Sequence, residues 1–154
     1  MSVAIAKFNK LTFRMMLALI LFPLFLFQCS PVRAQTVTEY TVYDGDTLTH
    51  ATVEVFPNIR YHGSIRIRGI DTPEIRTRSA CEKKIGYQAR DALKGFLEGK
   101  AITVRNAKNG KYAGRVLADV FADDESVAHW MLTHSYAHPY FGGKRDRAWC
   151  NDSP

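Results

Sequence analysis

The sequence predicts a small α+β domain behind an N-terminal export-type segment, and three observations carry that expectation. Short stretches rich in β-branched residues alternate apolar with polar over 36–42, 47–55 and 64–70. Apolar residues then recur at three- and four-residue spacing from Cys81 to Glu98, which is the period of a helix with one buried face. The roughly 120 residues that follow the N-terminal segment suffice for one hydrophobic core and not for two.

The chain opens with Lys7, Lys10 and Arg14, runs through apolar Met15 to Phe27, and reaches Val32-Arg33-Ala34, where small residues stand at the positions a signal peptidase reads. Residues 1–34 therefore read as a signal peptide and 35–154 as the mature domain, secreted or periplasmic. The apolar run is too short for a spanning helix and is interrupted by Pro23. A retained anchor and lipidation at Cys29 are the alternatives, and Gln28 stands where lipidation requires a small residue. The segment carries four of the 21 basic residues and none of the 15 acidic ones, so cleavage lowers the formal charge from +6 to +2. Overall basicity is then no argument for a polyanionic partner, and what remains is local: Arg60, Arg66, Arg68, Arg76 and Arg78 cluster in sequence.

In the mature part, TVTEYTV (36–42) reads as a strand entering the Asp44-Gly45 turn. A second strand spans 47–55, Pro57-Asn58 makes a turn, and a third strand spans 64–70. In that third strand Ile65, Ile67 and Ile70 interleave with Arg66 and Arg68, giving one face to the core and one to a charged cleft. The helix from Cys81 to Glu98 places Ile85, Ala89, Ala92, Leu93, Phe96 and Leu97 on one side, and Gly99 stops it. Strands 101–105 and 115–121 flank the Asn109-Gly110 turn, and Asp123 or Asp124 caps a second helix over 126–135, with Val127, Trp130, Met131 and His134 toward its buried side. Few regular signals follow Pro139, and there are no repeats. With Cys29 removed, Cys81 and Cys150 form an even pair in a chain bound for an oxidising compartment, and a disulfide is expected, two free thiols being the alternative.

Three segments carry the chemistry: YDGDT at Tyr43 to Thr47, IRIRGIDTPE at Ile65 to Glu74, and KYAGR at Lys111 to Arg115. Taken singly, Asp-Gly is a common hairpin turn, Asp71-Thr72-Pro73 a common strand ending, and a strand arginine usually a solvated one. Together they supply Asp46, Arg66, Asp71, Glu74 and Arg115. Carboxylates able to hold a hard cation, one more to take a proton from water, and two guanidiniums to grip phosphate are what phosphodiester hydrolysis requires. Oxygen donors without thiolate or imidazole favour calcium first and magnesium second. His129, His134 and His138 match no standard zinc spacing.

In order and spacing these segments resemble the staphylococcal nuclease (thermonuclease) family over roughly Tyr40 to Ala137. The resemblance implies a five-stranded OB-type β-barrel with packed helices. It also implies that Asp46, Asp71 and the Thr72 backbone carbonyl ligate one calcium ion, that Glu74 acts on the attacking water, and that Arg66 and Arg115 hold the phosphate. Tyr112 becomes a candidate contact to phosphate or sugar and Tyr140 to a base, with Tyr136 and Phe141 nearby. The implied activity is endonucleolytic cleavage of DNA and RNA, single-stranded or frayed, leaving 3′-phosphate ends, by a monomer. One departure stands out: the family segment runs Lys-Tyr-Gly-Arg, and this chain has one further residue before Arg115. A non-catalytic OB-type module that binds nucleic acid or another polyanion is the alternative, and a structural or partner-binding domain a third reading. Calcium-dependent loss of a DNA substrate separates the three.

Overall fold

The computed structural model describes residues 34–144 and 149–150. The expected signal peptide, Cys29 included, lies outside the described residues apart from Ala34. Among the described residues no helix is long and apolar enough to cross a membrane.

Five strands make a closed barrel. β1 (Gln35–Val42) and β2 (Thr47–Phe56) are joined by the Asp44-Gly45 turn, and β3 (Ile59–Ile67) returns through Pro57-Asn58. After a short β4 (Gly69–Asp71) and helix α1 (Ala80–Leu97), the hairpin of β5 (Ile102–Asn109) and β6 (Arg115–Ala122) completes the ring. β5 pairs with β1, and β6 closes on β3 in the one parallel pairing of the barrel, with Ser64 opposite Arg115 and Arg66 opposite Leu117. β7 (Glu125–Ser126) leads into α2 (Val127–Thr133), and β8 (His138–Tyr140) pairs with β4.

Alternation decides what is buried. Leu48, Ile65, Ile67, Val104 and Val120 point inward and join Ala89, Leu93, Phe96 and Leu97 of α1 and Val127 and Met131 of α2 in one core. Ser79 caps α1 by accepting the Glu82 N–H at 3.0 Å. Cys81, in the first turn of α1, is bridged to Cys150, with Cα atoms 6.3 Å apart.

Five expectations are corrected. The strand expected over 64–70 begins at Ile59 and breaks after Ile67, because Gly69 takes φ +85 and turns the chain away from the barrel to pair with β8 instead. The hairpin strands run longer than 101–105 and 115–121, and β8 forms where the chain carried few regular signals. Neither Asp123 nor Asp124 caps α2. At φ 48 and 67 they make the two-residue turn between Ala122 and Glu125, a turn that demands positive φ at both positions, and Ser126 caps the helix through the His129 N–H. His134 is exposed, stacked on the half-buried Trp130 rather than packed in the core.

Candidate functional site

The site begins with the tight turn after β1. The Asp44 carboxylate accepts the Asp46 N–H at 3.1 Å, a local bond that folds the segment back on itself. A Cβ at Gly45 would stand 2.8 Å from the Thr72 side chain and 3.0 Å from that of Ala89, so only glycine lets the turn lie against both β4's exit and α1. Asp46 is consequently 1% exposed. One of its oxygens accepts from the Thr47 hydroxyl at 3.0 Å and from the Arg66 guanidinium, the other from both the N–H and the hydroxyl of Thr72 at 3.0 Å. Burial pushes the Asp46 carboxyl up to about 7 against the opposing pull of Arg66, and the Asp44 charge pushes the same way as burial.

Arg66 projects from the outer face of β3, as the Ile-Arg-Ile alternation requires. Its other nitrogen donates to Asp71 at 3.0 Å, so a single guanidinium joins two buried carboxylates contributed by separate segments. Asp44, also buried, adds a third negative charge nearby, and one guanidinium cannot neutralise the group. That surplus of buried hard oxygen fits a divalent cation such as calcium at Asp46 and Asp71. Among the described residues no group of three or more His, Cys, Asp or Glu side chains is arranged to hold a metal, so a cation here depends on two carboxylates completed by backbone and water oxygens.

Arg115 stands on β6 opposite Ser64, two residues before Arg66 on the neighbouring strand, so both arginines lie on one side of the barrel wall. They line one cavity of about 310 Å³ together with Arg68, Tyr112, Tyr140 and Phe141. The Arg115 guanidinium lies 5.2 Å from the centre of the Tyr112 ring. The additional residue in the loop is absorbed before the strand. Gly114 takes φ +72, its carbonyl accepts from the Ser64 N–H and the Tyr61 hydroxyl at 2.9 Å each, and the Gly110 N–H reaches the Arg115 carbonyl at 2.8 Å. Arg115 thus starts β6 in register and stays in the cavity wall.

Arg68 also lines the cavity, a place that the basic cluster of the sequence does not by itself assign to it. Its spacing of two from Arg66, just past the end of β3, is the signal the sequence offers. It differs from Arg115 in pairing: Asp119 holds it through contacts of 3.0 and 3.1 Å, whereas among the described residues Arg115 forms no ion pair. Of the three rings after α2, Tyr136 stacks toward Trp130 at 6.0 Å and packs on the core. Tyr140 and the 92% exposed Phe141 border the cavity.

Glu74 belongs to the segment leaving β4 and is not part of the cavity lining. Its N–H donates to Glu82 of α1 at 3.1 Å. A Cβ on Gly86 would stand 2.8 Å from the Pro73 carbonyl oxygen and 3.2 Å from the Glu74 backbone, so α1 presses directly on this segment. The fold therefore joins Asp46, Arg66, Asp71 and Thr72 in one network and Arg66, Arg115, Tyr112 and Tyr140 around one cavity, with Arg66 common to both.

The sequence model of the family described as staphylococcal nuclease homologue matches residues 64–149, more than half of the chain. The chain belongs to that family. Its closed five-stranded barrel with two packed helices is the α+β, OB-like fold expected of a staphylococcal nuclease homologue. Comparison with curated proteins finds no match. The matched range takes in Arg66, Asp71, Glu74, Cys81 and Arg115. Asp46 precedes it and enters the site through its bonds to Arg66 and Thr72.

Proposed function

We propose that this staphylococcal nuclease homologue is an exported, calcium-dependent nuclease that hydrolyses DNA and RNA to 3′-phosphate ends. The observation that carries the reading is Arg66, which binds two buried carboxylates while sharing a cavity wall with Arg115, a guanidinium without an ion pair among the described residues. Asp46, Asp71 and the Thr72 carbonyl would hold the calcium ion, which supplies positive charge beside the phosphate. Arg66 and Arg115 grip the non-bridging oxygens, and their charge offsets the negative charge that builds as water adds to phosphorus. Glu74 accepts the proton of that water, and the bond to the 5′ oxygen breaks in line, leaving phosphate on the 3′ side. Tyr112 and Tyr140 offer ring faces to a base or sugar. Stacking of that kind tolerates any sequence and requires an unpaired strand, hence single-stranded or frayed substrate. A bridged cysteine pair is consistent with a secreted or periplasmic monomer.

The test is cleavage of single-stranded DNA, duplex DNA and RNA with calcium, with magnesium and with excess chelator, followed by end-group analysis. Calcium-dependent cleavage to 3′-phosphates is the expected result. Tight binding without cleavage would replace it with the OB-type binding module, and cleavage undiminished by chelator would remove the metal.

A further inference from the structure

We infer that Trp149 and Cys150 form a redox-controlled brace that holds the Asp71–Glu74 segment in its working position, so that this nuclease reaches full activity only after its two thiols are oxidised. The segment is flanked by two elements, and the last two described residues attach to both. On one side, Asp71 pairs with His138 between β4 and β8, and the Trp149 ring lies flat on the His138 ring, with centres 3.9 Å apart and planes 8° from parallel. On the other side, Cys150 is bonded to Cys81 in the first turn of α1. The next residue of that turn, Glu82, accepts the Glu74 N–H, and Gly86 one turn on touches the Pro73 and Glu74 backbone.

β8 is three residues long, includes Pro139, and among the described residues pairs only with the equally short β4, so this two-stranded sheet has little hydrogen bonding of its own to hold it. The stacked indole and the disulfide supply what the ladder lacks. Without them β8 and the start of α1 are no longer connected through Trp149 and Cys150, and the backbone of the Asp71–Glu74 segment loses a common support on its two sides. Catalysis is sensitive to that, because displacements near 1 Å in positioning cost on the order of a hundredfold in rate. Closure is a two-electron oxidation. The Cys81 and Cys150 thiols give up two protons and two electrons to a small-molecule disulfide, which leaves as two thiols while the Cys81–Cys150 bond forms. In a reducing compartment the bond is open and the nuclease weak. In an oxidising one it closes.

This inference rests on the nuclease reading for its activity measurement, and the test includes measurements that do not. The mature chain is studied oxidised, reduced with dithiothreitol, as a Cys81→Ser/Cys150→Ser double variant, and as Trp149→Ala and Trp149→Phe, all well below their melting temperatures. Val53→Ala, in the barrel core away from the site, serves as a control for destabilisation alone. Reduction and the double variant are expected to lower kcat roughly tenfold to a hundredfold with KM within about twofold, and to weaken calcium binding by calorimetry roughly tenfold. Trp149→Ala should fall between, and Trp149→Phe, which keeps a stacking ring, should recover most of the difference. Hydrogen exchange over Asp71–Glu82 should rise on reduction while the barrel strands stay protected. A reduced, folded protein with unchanged kcat, calcium binding and exchange overturns the brace, as does an equal kcat loss in Val53→Ala. Absence of cleavage in the oxidised protein would remove the nuclease reading instead, and the exchange measurement would still decide the brace.

Discussion

Arg66 and Arg115 occupy one wall but carry different burdens, and lysine substitution separates them. Arg66 spans Asp46 and Asp71 with two nitrogens, which a single ammonium cannot reproduce. Arg66→Lys is expected to lose both stability and activity. Arg115 makes no ion pair among the described residues and rests on the Tyr112 ring, so Arg115→Lys should lower turnover roughly a hundredfold with the melting temperature nearly unchanged. Comparing melting curves with single-turnover rates checks this, and wild-type rates in Arg115→Lys would put that residue outside the chemistry. For Glu74→Gln, shape and hydrogen bonding are kept while the proton acceptor is lost. Turnover should drop roughly 10² to 10⁴-fold with DNA affinity retained, as read by paired kinetic and fluorescence-anisotropy titrations. A variant that cuts at the normal rate would leave the water without Glu74 as its base.

Helix α1 is the element that presses on the Glu74 segment, and it does so at a glycine. In an exposed helix Gly→Ala adds up to about 1 kcal/mol, but at Gly86 the new methyl meets the Pro73 carbonyl at 2.8 Å. Gly86→Ala is therefore expected to lower the melting temperature and to reduce turnover together. A stabilised, fully active variant would show that the helix does not fix Glu74. This contact could not be read from the chain: periodicity located the helix to within a residue at each end, yet gave Gly86 no role, since what it touches is distant backbone. The same limit applied to the sheet. Alternation identified the arginine face of β3 correctly, because that depends only on neighbours in sequence, but not the turn-off at Gly69 or the pairing of β4 with β8, which are settled by a three-residue ladder containing a proline. Sequence alone cannot tell a cap from a turn at Asp123 or Asp124, because aspartate serves both, and the strand pairing of Ala122 with Glu125 decides for the turn.

At the scale of the whole molecule, the barrel must bring together carboxylates that repel one another, and closure through the parallel β3–β6 pair is what forces Asp46, Arg66 and Arg115 into one region. The three motifs in the sequence made the residues of this region legible, and the family resemblance supplied the topology that periodicity could not. The structure adds the accounting of charge: Asp44, Asp46 and Asp71 are all buried, and burial, with the Asp44 carboxylate adding to it, outweighs the pull of Arg66 and pushes Asp46 up to about 7. A divalent cation held by the folded chain and not by the unfolded one should then stabilise the entire domain by mass action. An open, water-completed calcium site has an affinity of about 10⁻⁴ to 10⁻³ M, so calcium at about 10 mM should add roughly 1.5 to 3 kcal/mol, visible as a concentration-dependent rise in melting temperature. Asp46→Asn makes the argument specific. It keeps an oxygen to accept from Thr72 and removes both a buried charge and its bond to Arg66, two changes that offset one another in the metal-free protein. Its melting temperature without calcium should stay close to wild type, and the calcium-induced rise should disappear. If calcium raises the melting temperature of both proteins equally, the ion binds elsewhere on the surface and Asp46 is not its ligand.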